Sequence, residues 1–404
     1  MPNIETLTPA AGQADSVGLR AYDPDLLARC VVDGAQPWWR RTACVEALVG
    51  RVPQARVGEL LACVRDTEDS GTVRKALLEL MSDRAELLPW LRDEDRRREE
   101  AYGMPEAVLQ ARAALGDRTA AAELATLAFS HWWTRRAVGE AGLDALVERH
   151  GAEAVLSELG GGRPEDRAVA LRIRDRAGED VTDALADPDP GVAHLAQSLL
   201  TCPDRLRAYL AEAPTVDAAL WAAYALHRLT DDVARTRAVY EALGRPRVEV
   251  EGLDEEIRAA IVHEYGHECE KQSDPRWRIE ALCTEPPQPP DEERQLALAS
   301  AALAAAGLAP RPPLSCGDAH RQGGGTYHVI GYGDGGRSEV FVSTLGRFAG
   351  DHEDDPAARA ALEAAGFRWI DGPTGSIRVP GLGVYYFGAR APLDVHTLLF
   401  YWQD

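Results

Sequence analysis

The chain has 404 residues, 45% of them hydrophobic and 27% charged, which fits an ordinary globular protein rather than a disordered or fibrous one and leaves no need for disulfides or metals to build a core. Its 65 acidic residues outnumber 44 Lys and Arg, for a net charge of −21, so any phosphate-binding surface would have to be a basic island on a chain that repels nucleic acid overall. At roughly 150 residues per domain, two or three domains are expected.

Residues 1–22 read as an N-terminal extension without the basic and apolar regions of a secretory leader. The longest apolar stretch, 296–309, is shorter than the roughly 18 residues a membrane span needs. A cytoplasmic protein with no membrane partner is therefore expected. The seven cysteines (30, 44, 63, 202, 269, 283 and 316) include no Cys-x-x-Cys pair and read as reduced thiols. Lys75 and Lys271 are the only lysines, a bias we attribute to coding rather than to recognition.

From Asp23 to Gly307 the pattern predicts one helix after another. Asp-Pro steps at 23–24, 187–188, 189–190 and 274–275 supply an N-cap followed by a proline at the first helical position. Trp38-Trp39-Arg40-Arg41-Thr42-Ala43 is echoed by Trp132-Trp133-Thr134-Arg135-Arg136-Ala137 at an offset of 94 residues. Trp277-Arg278, with Ala281 three residues on, repeats the Trp-Arg-x-x-Ala core after Asp274-Pro275. At these residues the chain, over roughly 23–285, resembles the HEAT-repeat family, whose second helix often opens with Asp-Pro and continues apolar-Arg-x-x-Ala-x-x-Leu. The resemblance implies a right-handed superhelix of antiparallel helix pairs and a protein-binding role.

Pro286-Pro287-Gln288-Pro289-Pro290 interrupts the array. A last Ala-rich helix, 291–307, precedes a second stiff break at 310–313. Beyond it, strands are predicted at 326–330, 339–344, 367–370, 376–379, 384–387 and 396–402, with one helix at 356–365 capped by Asp355. The expected fold is mainly α: a HEAT-like α-α superhelix over 23–309 followed by a small α+β domain over 314–404.

Four patterns bear on function. His263-Glu264-Tyr265-Gly266-His267 contains His-Glu-x-x-His, which can place two zinc ligands on one helix face with the glutamate as general base. Over these residues the chain resembles the zincin metallopeptidases, and the resemblance implies His263 and His267 as ligands and Glu264 as base, with Glu280 or Glu285 of the next helix as third ligand. At 100° per residue, however, Ile257, Ile261 and Tyr265 form the inward stripe and the two histidines point away from it. Gly331-Tyr332-Gly333-Asp334-Gly335-Gly336 satisfies Gly-x-Gly-x-x-Gly, but a strand pattern follows where a dinucleotide site needs a helix, so 334–336 reads as a hairpin turn. Acidic residues 351–355 read as a helix start rather than a calcium loop. Arginines and acids interleaved over 92–100 read as a mixed-charge face.

The tryptophan pairs form the preferred binding set: Trp38, Trp39, Arg41, Trp132, Trp133, Arg135 and Trp277. Such groups would make an aromatic and basic recess, with at least one tryptophan of each pair expected in the core. The function expected is a non-catalytic scaffold without a cofactor, holding a basic protein partner. The alternatives are a zinc-dependent metallopeptidase at 263–267 and, by likeness of its aromatic recess, a helical-repeat DNA glycosylase.

Overall fold

Three of the four Asp-Pro steps start helices; Asp187-Pro188 does not, because Asp187 ends the short 3-10 helix Thr182–Ala186. Asp23 accepts the Asp25 amide at 2.9 Å, Asp189 accepts those of Gly191 and Val192, and Asp274 that of Arg276; in each case proline occupies the first turn. The computed structural model describes residues 4–10, 13–93, 101, 103–130, 132–333, 338–353, 355–388 and 391–403. The chain is mainly helical with a small sheet near its C-terminus, and it divides into two compact units, Met1–Gly178 and Glu179–Asp404. Among the described residues no helix is long and apolar enough to cross a membrane. The interleaved charges over 94–100 lie outside the described residues.

In the first unit, four helices pack in succession: Trp38–Ala47 on Gly71–Leu80, that on Met104–Ala114, and that on Trp133–His150. Their starts are separated by 33, 33 and 29 residues. The partner helix Pro24–Val32 precedes the first of them, and Val57–Arg65, Leu88–Leu91 and Ala121–Ala128 lie between successive ones. A close approach closes the last pair. A Cβ on Gly139 would stand 2.3 Å from the Ala128 amide nitrogen and 2.6 Å from the Leu124 carbonyl oxygen. Both are backbone atoms that no rotamer change can move. Gly139→Ala is therefore expected to lower stability by about 1–3 kcal/mol through overpacking, outweighing the helix propensity gained over glycine. An unchanged urea midpoint would contradict it.

A buried arginine recurs in both units. Arg41, Arg74 and Arg258 are each the fourth residue of a helix, and none is more than 5% exposed. Each donates to a carbonyl ten residues upstream: Arg41 Nε to Val31 O at 2.7 Å, Arg74 Nε to Val64 O at 3.1 Å and Arg258 Nη1 to Val248 O at 2.8 Å. Val31 and Val64 lie in the last turns of the preceding helices, whose final carbonyls have no partner within the helix. The guanidinium supplies one. Arg41 also grips Asp69 with both terminal nitrogens, at 2.6 and 2.5 Å. Burial pushes the Asp69 carboxyl up, but the Arg41 hydrogen bonds, the Ser70 amide and the charges of Arg41 and Arg74 together hold the group below its ordinary range.

A denser charge cluster follows the Met104–Ala114 helix. Fully buried Arg112 donates to Asp117 at 2.8 Å, to Glu123 at 2.9 Å and to Thr119 at 3.0 Å, while Arg92 reaches Asp117 at 2.9 Å. Burial raises the Asp117 pKa, but hydrogen bonds from Arg92, Arg112 and Thr119 dominate and leave it well below the usual carboxylate value. A carboxylate whose folded-state pKa is depressed contributes stability above its unfolded pKa, and that contribution fades as pH falls toward the folded-state value. Wild-type stability should accordingly fall more steeply than that of Asp117→Asn between about pH 5 and about pH 3. Parallel urea midpoints across that window would refute this.

In the second unit, β1 (Leu314–Ser315), β3 (Tyr327–Tyr332), β4 (Ser338–Ser343), β5 (Phe348–Gly350) and β6 (Arg368–Trp369) form one sheet in the order β1-β3-β4-β5-β6, antiparallel except for β5 with β6. A two-stranded ribbon joins β2 (Gly324–Gly325) to β7 (Trp402–Gln403). Alternation along the strands fills two cores. Tyr327, Val329, Phe341 and Phe348 join Ile257, Ile261, Val262, Tyr265 and Trp277 on one side. Ile330, Tyr332, Val340, Val342 and Ala349 join Ala299 and Leu303 on the other, with the Pro356–Ala364 helix. The sheet thus shares its cores with the helices Glu255–Tyr265, Pro275–Cys283 and Glu292–Ala305, so the predicted break at 310–313 is no break in packing.

Three strand predictions need correction. Residues 376–379 form no strand, Arg378 making only an isolated bridge to Asp394. Residues 395–399 form a helix capped by Asp394, with Val395, Leu398 and Leu399 buried at i, i+3 and i+4; only 402–403 are strand. Residues 384–387 form no strand. The helix at 356 starts as expected, with Asp355 accepting the Ala357 amide at 2.8 Å. Hairpin residues 334–336 lie outside the described ones, but β3 and β4 on either side pair antiparallel.

Candidate functional site

The Trp133–His150 helix begins with two tryptophans that find no core to enter. Trp132 is the N-cap residue and 57% exposed, and Trp133 is 72% exposed. Trp38 and Trp39, in the first turn of their own helix, are 52% and 37% exposed and meet edge to face at 5.9 Å. The expectation of one core tryptophan per pair is thereby overturned. The inward positions of these helices are taken by small residues such as Ala43, Cys44, Gly139 and Gly142, which let the neighbouring backbones approach too closely for an indole.

Below Trp132 lies a cavity of about 720 Å³, in the size range of ligand sites, lined by Trp132, Arg135 and Val138 of one helix, Glu106 and Gln110 of the next, and Lys75 beyond. Arg135 Nε donates to Glu106 Oε1 at 2.8 Å, which orients the guanidinium along the wall. Lys75 lies 3.8 Å from Glu79. The recess is aromatic at its rim and carries both charge signs. The Trp-Arg pattern does not single out Lys75, Glu106 and Gln110; the 33-residue spacing of their helices is the signal that aligns them.

Not every predicted binding residue reaches this surface. Arg41 is an interior strut, 3% exposed and spent on Asp69 and Val31. Trp277 is fully buried, its Nε1 donating to Pro380 O at 3.1 Å and its ring lying under the Arg258 guanidinium at 4.7 Å. Both belong to the core, because the fourth-position arginine and its neighbours face inward.

The His-Glu-x-x-His residues do not converge as a zinc peptidase requires. The helix ends at Tyr265, which places His267 beyond it. His263 Nε2 is 3.0 Å from the Thr284 hydroxyl, and burial, then His267, hold its imidazole below its ordinary pKa. The two imidazole centroids are 6.4 Å apart. Glu264 lines a different space, a cavity of about 390 Å³ with Glu268, Glu270, Tyr385 and Tyr401, where burial and then Glu268 raise its pKa. Glu280, the expected third ligand, is 2% exposed and held by Arg258 at 2.8 and 2.6 Å and by Arg247 at 3.1 Å. Among the described residues no group of three or more His, Cys, Asp or Glu is placed to hold a metal ion. No protein-family model, curated protein or solved structure matches this chain.

Proposed function

We propose that the chain is a non-catalytic scaffold, a HEAT-like α-solenoid in which the Trp38, Gly71, Met104 and Trp133 helices line an inner face, and that the Trp132 recess holds a basic protein partner in the cytoplasm. The observation that carries this reading is the exposure of all four paired tryptophans, one of which, Trp132, lines a cavity of about 720 Å³. Large exposed aromatics are unfavourable on a surface with no partner, and tryptophan and arginine are the residues that dominate binding energy at interfaces. The regular succession of second helices and their interior arginines supports the solenoid.

The net charge of −21 selects the partner's sign. Long-range attraction to a basic surface speeds association and is screened by salt. Protein captured on the purified chain from native cytosol is expected at about 50 mM salt and lost by about 500 mM. Recovery of no macromolecule above background at low salt, or capture indifferent to salt, would count against the proposal.

A further inference from the structure

The cavity of about 390 Å³ in the second unit lies between the end of the Glu255–Tyr265 helix, the segments carrying β2 and β7, and the 383–385 segment. Tyr265, Tyr385 and Tyr401 supply its rings, and Glu264, Glu268 and Glu270 its charges. No Lys, Arg or His stands among the described residues that line it.

Hydrogen bonds fix these walls in place. The Glu270 amide donates to Gly383 O and the Asp274 amide to Gly381 O, both at 2.8 Å, and the Gly383 amide donates to Ser273 Oγ at 2.9 Å. Together they clamp the 381–383 turn onto the chain that follows the helix. Tyr401 is tied at both ends: its hydroxyl donates to Tyr385 O at 2.6 Å and its amide to Thr326 Oγ1 at 3.0 Å. Its ring lies 5.9 Å from that of Tyr265 and 5.6 Å from that of Tyr386. Glycine is required at 325, where a Cβ would stand 1.9 Å from the Tyr401 carbonyl oxygen.

We propose that this cavity binds an organic ammonium group, seated against the tyrosine rings and neutralised by the glutamates. A cation is attracted to an aromatic face, and more strongly once it leaves water. Three carboxylates without a basic neighbour in the wall select the sign of the charge. The volume lies in the size range of small-molecule sites and far exceeds that of a bare metal ion, and among the described residues no acids are grouped to hold one. Neither Glu264 nor Glu268 is paired with a cation among the described residues. Burial, then the charge of Glu268, raises the Glu264 pKa, and a cation beside the two offsets that repulsion. The ammonium can belong to a free amine or to a lysine side chain of a protein. The cavity belongs to the other unit from the Trp132 recess, so it does not rest on the reading of that recess.

The test titrates the full chain, by calorimetry, with choline, with Nα-acetyl-lysine methylamide and with 3,3-dimethylbutanol, which has the shape of choline without its charge. One of the two cations is expected to bind at least about tenfold more tightly than the neutral alcohol. Tighter binding of choline assigns the site to free amines, and tighter binding of the lysine derivative assigns it to a protein side chain. Glu264→Gln with Glu268→Gln, both at exposed positions, and separately Tyr385→Leu, should each weaken that binding by about fivefold or more. Binding of the alcohol as tight as that of either cation, no binding of either cation up to about 10 mM, or full affinity in the double glutamate variant would overturn the proposal. The first two of these readouts come from the wild-type chain, and none requires the partner of the Trp132 recess.

Discussion

Arg258→Met is expected to destabilise the second unit by about 3–5 kcal/mol, because it strands a carboxylate in the interior. Arg258 meets both oxygens of Glu280, at 2.8 and 2.6 Å, and neither side chain is more than 6% exposed. Its third contact, to Val248 O at 2.8 Å, would also be left unfilled. Arg247, 3.1 Å from Glu280, cannot replace the bidentate grip, since it is shared with Glu255 at 3.0 Å. Removing both charges should cost less than removing one: in Arg258→Met with Glu280→Met no charge is left unpaired, and apolar replacement of a whole buried pair is often neutral or better. Urea midpoints of the wild type, the single and the double variant test this. A double variant less stable than the single would show that the pair contributes by attraction and not by avoiding an orphaned charge.

The second large effect concerns binding. Replacing Trp132 and Trp133 together by alanine should weaken the captured partner about 10-fold to 100-fold, the range for losing central aromatic anchors. The fold should be indifferent, with stability unchanged within about 0.5 kcal/mol, because both side chains are more than half exposed. Equal affinity would remove the tryptophans from the interface, and a large loss of stability would assign them to packing. Arg135→Ala should have a smaller effect, since its salt bridge to Glu106 at 2.8 Å is more than half exposed on the arginine side and such pairs contribute little.

What could be read from the residues alone was largely local. Helix starts at Asp23, Asp189, Asp274 and Asp355 follow from a side chain accepting its own neighbours' amides, and the inward stripe of Ile257, Ile261 and Tyr265 follows from helical spacing. The Trp-Arg-x-x-Ala pattern has a misleading chemical meaning. It suggests an aromatic and basic recess, but Arg40 is spent on Thr8 and Gln36 and Arg278 on the carbonyls of Cys269 and Glu270, and spacing along one helix does not show that. Residues 396–402 are rich in aromatic and apolar side chains and look extended until Asp394 is seen to cap a helix. The sharing of the sheet's cores with helices from 255 to 305 is non-local and leaves no mark in sequence pattern. For the site itself, Trp132, Trp133 and Arg135 were legible. Lys75, Glu106 and Gln110 were not, because they come from separate helices that only packing aligns.

The most direct measurement of the central claim is photo-crosslinking from inside the recess. Thr134, exposed and on the cavity wall, is replaced by a benzophenone amino acid, and Ala62, exposed on a partner helix of the same unit, serves as control. A basic protein is expected to be covalently captured from native cytosol at position 134, in a salt-sensitive manner, and not at position 62. Equal capture at both positions, or none at 134 from cytosol that yields a partner by affinity purification, would contradict a scaffold that binds through the Trp132 recess.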